Sequence, residues 1–151
     1  MELSSLQDTS NISKKISKII KDGDIIFLYG DIGVGKTTFV RFLINHLQVE
    51  NKIKKSNILS PTFNIVYEYK INKLNIHHYD LYRIKNYNDV LELGMFENLN
   101  NHIKIVEWPE LLNKKIKDRI DIKFTYHKKN DSREVSISGL GKWKDFKFDA
   151  I

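Results

Sequence analysis

The stretch GDIGVGKTT, from Gly30 to Thr38, constrains the fold of this chain more than any other part of its sequence. Gly30, Gly35, Lys36 and Thr37 fit the spacing G-x-x-x-x-G-K-[ST] of a phosphate-binding loop. The glycines allow successive backbone N–H groups to turn toward phosphate oxygens. The lysine brings a positive charge to the outer phosphates, and the threonine hydroxyl can ligate magnesium. The motif therefore predicts a site for a nucleoside triphosphate and Mg²⁺.

The segments on either side of this loop favour a parallel α/β sheet. Residues 25–29, IIFLY, form an unbroken apolar run that is typical of a strand covered on both faces. After the loop, apolar residues from Phe39 to Leu47 recur at intervals of three and four, which predicts a helix against that sheet. This order places the loop at the N-terminus of a helix, where the helix dipole favours an anion.

The rest of the chain predicts further strands and helices in one domain, residues 1–151. The pattern indicates a helix over 10–21 with Thr9 or Ser10 as its N-cap, a connection over 51–57, a hairpin of strands 63–69 and 76–82, a helical segment over 86–99 divided at Gly94, a strand over 103–108 stopped by Pro109, and strands over 120–126 and 134–137. Lys104 predicts that one face of its strand is not fully buried. We expect an α/β, single-domain P-loop NTPase-type sandwich with a mainly parallel sheet, antiparallel additions and helices on both faces.

Composition narrows the class of protein. Hydrophobic residues make up 41% of the 151 residues and charged residues 29%, values typical of a folded soluble domain. No segment approaches the roughly 20 apolar residues of a membrane span, and the first residues lack a secretory signal, so we expect a cytoplasmic protein without a membrane partner. The absence of cysteine excludes a disulfide framework, a thiolate zinc site and cysteine catalysis.

The charge of the chain is basic, at +6, and lysine supplies 21 of the 25 basic residues. Residues 113–129 concentrate this charge against Asp118 and Asp121. The basic residues of that segment are Lys114, Lys115, Lys117, Arg119, Lys123, Lys128 and Lys129. A nucleic-acid contact and a solvated lysine face both remain open, and we favour the solvated face because it is the ordinary arrangement of such a lysine-rich run.

A triphosphate-binding loop needs a carboxylate elsewhere to hold magnesium or orient water. Asp80 and Glu107 each end a strand-like run, although a turn cap or a surface ion pair would also explain them. Thr62 either contacts the site or makes ordinary turn hydrogen bonds. His77 and His78 point to opposite faces of their strand, which favours structural histidines over a transition-metal site.

Five stretches in order, GDIGVGKTT, SPTFNIVYEY, HHYDLYR, LELGMFE and IVEWPE, resemble the TsaE (YjeE) family of small bacterial P-loop ATPases, from about Leu6 to Leu112. The resemblance implies an accessory ATPase in the synthesis of the threonylcarbamoyl modification on the adenosine beside the anticodon of certain tRNAs. It implies binding to the TsaD subunit of the TsaB and TsaD assembly, which ATP hydrolysis resets between turnovers. Contact with tRNA would be indirect.

The resemblance also implies roles for individual residues. Those that would cradle the phosphates of ATP are Gly33, Val34, Gly35, Lys36, Thr37 and Thr38. Those with catalytic roles would be Lys36, Thr62, Asp80 and Glu107, with Asp80 orienting water or the solvent shell of the metal and Thr62 in the first switch. Thr37 and Glu107 would hold Mg²⁺, Trp108 would form the wall beside the nucleotide, and Arg83 would lie near the partner. Val34 departs from the family, which usually has a small residue there.

Other functions remain as alternatives. A GTPase needs an Asn-Lys-x-Asp base reader, and the nearest stretch, residues 72–75, ends in asparagine. A small kinase needs several cationic side chains over its acceptor, yet the chain has only four arginines. The third possibility is a nucleotide-dependent binding module without turnover. We expect an ATPase that is weak alone and fully active with its partner subunits, with the kinase and the binding module as alternatives.

Overall fold

Seven strands and three helices make up the described chain, residues 1–127 and 132–148 of a computed structural model. The elements are β1 (Glu2–Leu3), α1 (Leu6–Ser17), β2 (Ile25–Tyr29), α2 (Lys36–Glu50), β3 (Val66–Ile71), β4 (Leu74–Asp80), α3 (Tyr87–Glu92), β5 (Ile103–Glu107), β6 (Arg119–His127) and β7 (Ser132–Leu140). Short 3-10 turns follow β5 at Glu110–Leu112 and β7 at Gly141–Trp143. The predicted strand over 25–29 and the predicted helix after the loop are confirmed.

The strands form one sheet in the order β1-β7-β6-β2-β5-β4-β3. Parallel pairings join β6, β2, β5 and β4 in its centre, and antiparallel pairings add β3 on one side and β7 with β1 on the other. The predicted α/β P-loop-type fold is confirmed, and its sheet is mixed. Since β2 lies between β5 and β6, the loop that follows β2 emerges in the middle of the carboxyl edge of the parallel strands.

Both faces of the sheet are covered. On one face α1 and α2 pack together over sheet residues such as Ile26 and Leu28, and on the other α3 and the turns after it cover Phe27 and Val106. Ile26 and Phe27 are neighbours in β2 and both are fully buried, as expected for a central parallel strand. Across the described ranges, none of the helices has the length and apolar character needed to cross a membrane.

Helix α1 begins earlier than predicted, at Leu6 instead of residue 10, and ends at Ser17 instead of residue 21. The Oγ atom of Ser5 accepts the backbone N–H of Asp8 at 3.2 Å, and the Asp8 carboxylate accepts the backbone N–H of Ser5 at 2.8 Å. This capping box fixes the start of the helix upstream of Thr9 and Ser10, which lie inside it.

The predicted helical segment over 86–99 is helical only in α3, and the part after Gly94 consists of turns. Asn86 caps α3 through its Oδ1 atom, which accepts the backbone N–H of Asp89 at 3.0 Å. Gly94 and Asn98 have positive φ values of 65° and 50°, which interrupt helical geometry. The hairpin is confirmed as β3 and β4, although β3 begins at Val66 because a turn precedes it.

The expectation that Lys104 leaves one face of its strand open is wrong. Lys104 is 1% exposed and every residue of β5 is buried. Its Nζ atom donates to the carbonyl oxygen of Glu97 at 2.8 Å, so the turns after α3 close over the strand and supply an acceptor for the amine. Burial lowers the pKa of Lys104, and the charges of Glu97 and Glu68 oppose that shift.

The basic segment over 113–129 extends from the turn after β5 through β6. Lys114, Lys115 and Lys117 are exposed, whereas Arg119 is buried and pairs with Asp121 at 2.7 Å. Lys128 and Lys129 lie outside the described residues. The preference for a solvated lysine face over a nucleic-acid contact stays a prediction.

Gly139 in β7 packs closely against the backbone of the turn that follows the strand. A Cβ atom there would lie 2.1 Å from the backbone oxygen of Trp143. We expect Gly139→Ala to lower the free energy of unfolding by about 1–3 kcal/mol, because backbone would have to move. Urea denaturation measures the change. The exposed neighbour provides a matched control, and Ser138→Ala should change stability by less than about 0.5 kcal/mol. Equal urea midpoints for Gly139→Ala and Ser138→Ala would contradict the close packing at Gly139.

Candidate active site

The loop between β2 and α2 has the backbone conformation expected of a phosphate-binding loop. Gly30 has a φ of 131°, and a Cβ atom there would lie 2.5 Å from the backbone oxygen of Phe124. Gly35 is the N-cap of α2 with a φ of 117°, and no side chain of the described residues caps the helix. The amides of the first turn are therefore left for another acceptor, at the positive end of the helix dipole. This geometry suits an anion.

Lys36 is held at the loop by neutral acceptors. It is 4% exposed, and its Nζ atom donates to the carbonyl oxygens of Gly30 and Asp31, the latter at 2.9 Å. Burial lowers the pKa of Lys36, while the charges of Glu107 and Asp80 oppose that shift. An anion at the loop would favour the charged ammonium.

Glu107, the last residue of β5, joins the loop to the sheet. The Thr37 hydroxyl lies 2.9 Å from Oε1 and 3.1 Å from Oε2 of Glu107, and donates to this carboxylate. The Nε2 atom of His78 lies 2.8 Å from the same Oε1 atom. Glu107 is only 2% exposed, so its carboxylate is taken out of bulk water but keeps hydrogen-bond donors.

Asp80, the last residue of β4, lies directly opposite Glu107 in the parallel pairing of β4 and β5. Its Oδ2 atom accepts the Thr62 hydroxyl at 2.8 Å, and its Oδ1 atom accepts the backbone N–H of Tyr82 at 3.0 Å. The Ser60 hydroxyl lies 2.8 Å from the Thr62 hydroxyl. Thr62 therefore bonds to a carboxylate of the site as well as to its own turn.

These side chains surround one cavity of about 250 Å³ with an aromatic wall. The ring centroids of Tyr82 and Trp108 are 4.9 Å apart, and the Lys36 Nζ atom lies 4.0 Å from the Trp108 centroid. Ile32 also lines the cavity and is 71% exposed. The wall offers aromatic surface against which a nucleobase can stack.

The structure brings most of the predicted site residues together. Those that line the cavity are Gly33, Gly35, Lys36, Thr37, Thr38, Thr62, Asp80, Glu107 and Trp108. Val34 does not line it, because its side chain is buried in the core beside α2. Arg83 also lies outside the lining, with its guanidinium 5.3 Å from the ring centroid of Phe63.

Three residues near this site were not predicted to take part in it. Ile32 and Tyr82 line the cavity, and His78 bonds to Glu107 from the buried side. The one signal available in the sequence was that His78 shares a strand face with Asp80. Its bond to Glu107 depends on the pairing of two strands that are distant in sequence, which spacing along the chain does not reveal.

The protein-family model described as "Threonylcarbamoyl adenosine biosynthesis protein TsaE" matches residues 3–135. The chain belongs to the TsaE family. The family membership predicted from five short stretches is thereby confirmed. This TsaE-family chain is assigned to the biosynthesis of threonylcarbamoyladenosine in tRNA.

Curated TsaE relatives cover most of the chain. The protein named "tRNA threonylcarbamoyladenosine biosynthesis protein TsaE" from Rickettsia prowazekii is 44% identical over 110 residues, which are 73% of this chain and 74% of the relative. The protein of the same name from Bacillus subtilis is 30% identical over 137 residues, 89% of this chain and 82% of the relative. The crystal structure of Bacillus subtilis YdiB has a TM-score of 0.74 at 26% identity and covers 94% of this chain and 85% of its own.

Proposed function

We propose that this TsaE-family chain is a cytoplasmic Mg²⁺-dependent ATPase that serves tRNA threonylcarbamoylation as an accessory to the TsaB and TsaD subunits. The observation that carries the proposal is that two carboxylates line the cavity beside the loop. Glu107 bonds to Thr37 and Asp80 bonds to Thr62 at the ends of adjacent strands. Turnover would be weak alone and fully expressed in the assembly, where it resets TsaD and TsaB between rounds.

The residues at the loop fit magnesium. Thr37 and Glu107 offer a hydroxyl and a carboxylate within 2.9 Å of each other, and oxygen ligands of this kind are those that Mg²⁺ prefers. These two residues would hold the ion. Bound Mg²⁺ supplies charge neutralisation on the β- and γ-phosphate oxygens.

The phosphates would be bound by the backbone amides over 33–38 and by Lys36. The Lys36 Nζ atom donates to two neutral loop carbonyls, so phosphate oxygens would be stronger partners for it than those it has. Lys36 would then stabilise charge on the outer phosphates, while the aromatic wall of Tyr82 and Trp108 would contact the base.

Asp80 would orient the attacking water. Its two oxygens are fixed by Thr62 and by the backbone N–H of Tyr82, and each carboxylate oxygen can accept a further hydrogen bond. Asp80 is 5% exposed and lines the cavity, so a water bonded to it would lie beside the phosphates. Thr62 would report the presence of the outer phosphate through its bond to Asp80, as the first switch.

The charge around the cavity supports the ATPase over the kinase. Among the described residues that line it, Lys36 is the one basic side chain, and Arg83 stacks on Phe63 elsewhere. A kinase would need further cations around the transferred group. This charge argument does not bear on a binding module without turnover. The experiment below distinguishes such a module from an ATPase.

The experiment measures phosphate release from ATP by this chain alone and with purified TsaB and TsaD subunits. Turnover that rises in the assembly supports the proposal, together with restored modification when the chain is added to a reconstituted tRNA reaction that lacks it. ATP binding without turnover in either condition would identify a binding module. Phosphate transfer to a small acceptor would identify a kinase.

Changing the carboxylate that would hold magnesium gives a prediction for ion dependence. In Glu107→Gln, the charge is lost while the shape is kept, so we expect the Mg²⁺ concentration for half-maximal turnover to rise about 10–100-fold. Glu110→Gln is the matched control, because Glu110 is exposed and does not line the cavity. Equal Mg²⁺ dependence in the two variants would remove Glu107 from the metal site.

A further inference from the structure

His78 in β4 is fully buried beneath the cavity and faces the carboxylate of Glu107. It pairs in register with Ile105 of the neighbouring strand β5, so Glu107 lies two residues farther along on the same face. The separation between His78 Nε2 and Glu107 Oε1 is 2.8 Å. The side chains of both residues are nearly free of solvent contact, at 0% and 3% exposed.

We propose that His78 is a positioning residue that holds the Glu107 carboxylate in the orientation needed for the proposed magnesium site. The inference rests on the proposed function and adds a residue to its machinery. His78 does not line the cavity, so it acts through Glu107.

The hydrogen-bond inventory fixes the direction of this contact. A carboxylate that holds Mg²⁺ only accepts hydrogen bonds, so in the proposed site Nε2 of His78 is the donor. The other ring nitrogen, Nδ1, is buried without a hydrogen-bond partner in the described part of the chain. The bond to Glu107 is therefore the polar contact that orients the ring, and the ring in turn restrains Oε1.

The Thr37 hydroxyl cannot replace His78 in this role. It lies 2.9 Å from one oxygen of Glu107 and 3.1 Å from the other, so a single proton is shared between two acceptors. The same hydroxyl is the loop's own candidate ligand for the ion. When it turns to a different partner, the bond from the imidazole still holds Oε1, which leaves Oε2 for the cavity.

Three substitutions separate positioning from space filling. His78→Gln places an amide donor near the position of Nε2, His78→Asn has a shorter side chain that ends near Nδ1, and His78→Leu fills the volume without a donor. Calorimetry of a non-hydrolysable ATP analogue over a Mg²⁺ titration measures the ion dependence of nucleotide affinity, without relying on turnover. We expect His78→Asn and His78→Leu to need about 10–100-fold more Mg²⁺, and His78→Gln to recover most of the wild-type dependence.

The outcomes distinguish failure of the proposed function from failure of the inference about His78. Wild-type affinity that ignores Mg²⁺ overturns the proposed function and this inference together. Wild-type ion dependence that persists in folded His78→Asn and His78→Leu overturns the inference alone. If the leucine variant does not fold, the Gln and Asn pair decides by the same comparison. Nitrogen-15 NMR of the wild-type imidazole gives an independent readout, with a proton on Nε2 expected and an unprotonated Nε2 contradicting the inference.

Discussion

Turnover of ATP by the Asp80→Asn variant is expected to fall by about 10²–10⁴-fold, the range typical of a lost acid–base group. The amide keeps an oxygen that can accept the Thr62 hydroxyl or the Tyr82 amide, so the local structure should persist. It loses the negative charge that, in the proposed mechanism, would orient and polarise water. Phosphate release at saturating ATP, with the TsaB and TsaD subunits present, measures the effect.

Nucleotide affinity distinguishes this loss from a folding defect. Removing a negative charge beside the phosphates relieves repulsion, so the affinity of Asp80→Asn for ATP is expected to equal or exceed that of the wild type. Asp22→Asn makes the same chemical change at an exposed position outside the cavity and should keep wild-type turnover. Asp80→Asn with undiminished turnover would assign the carboxylate a structural role.

Replacing Lys36 by alanine should remove both affinity and turnover. Charge-assisted bonds from the ammonium to phosphate would contribute about 1.5–3 kcal/mol, which corresponds to a rise in Kd of about 10–150-fold when they are lost. Loss of the charge that stabilises the outer phosphates should lower turnover by about 10²–10³-fold as well. Fluorescence of Trp108, whose ring lies 4.0 Å from the Lys36 Nζ atom, offers a direct binding signal.

The fold should survive this substitution. Lys36→Ala removes two hydrogen bonds to loop carbonyls but also removes the cost of burying the amine, so we expect only a small change in the stability of the ligand-free chain. Lys54→Ala is the matched control, because Lys54 is exposed in the connection after α2. Unchanged affinity in Lys36→Ala would refute the assignment of the loop as the phosphate site.

The sequence predicts local features of this chain well, because their causes are local. The strand β2 is an uninterrupted apolar run, and the glycine-rich loop after it requires a left-handed backbone at Gly30 and Gly35. The resemblance carried by short stretches located Thr62, Asp80 and Glu107, which the structure gathers around one cavity. These residues could be named before their geometry was known.

Features that depend on distant parts of the chain could not be read in this way. Lys104 looks like a surface residue within its own strand, and its burial follows from a carbonyl that the turns after α3 bring to it. The bond between His78 and Glu107 joins residues 29 apart in sequence and requires β4 and β5 to pair in register. The start of α1, by contrast, is a local feature. The capping box of Ser5 and Asp8 that fixes it is visible in the sequence.

The register of the central strands also bears on how the chain folds. Thr37 and Glu107, which are 70 residues apart, meet only after β2 and β5 have paired, and Asp80 joins them only when β4 has added in parallel. Such long-range pairings form late in folding compared with local helices and turns. A ligand that contacts all three residues recognises a chain in which β2, β5 and β4 have paired. Its binding would raise the thermal midpoint by mass action, so occupancy of the cavity would be coupled to the pairing of these central strands.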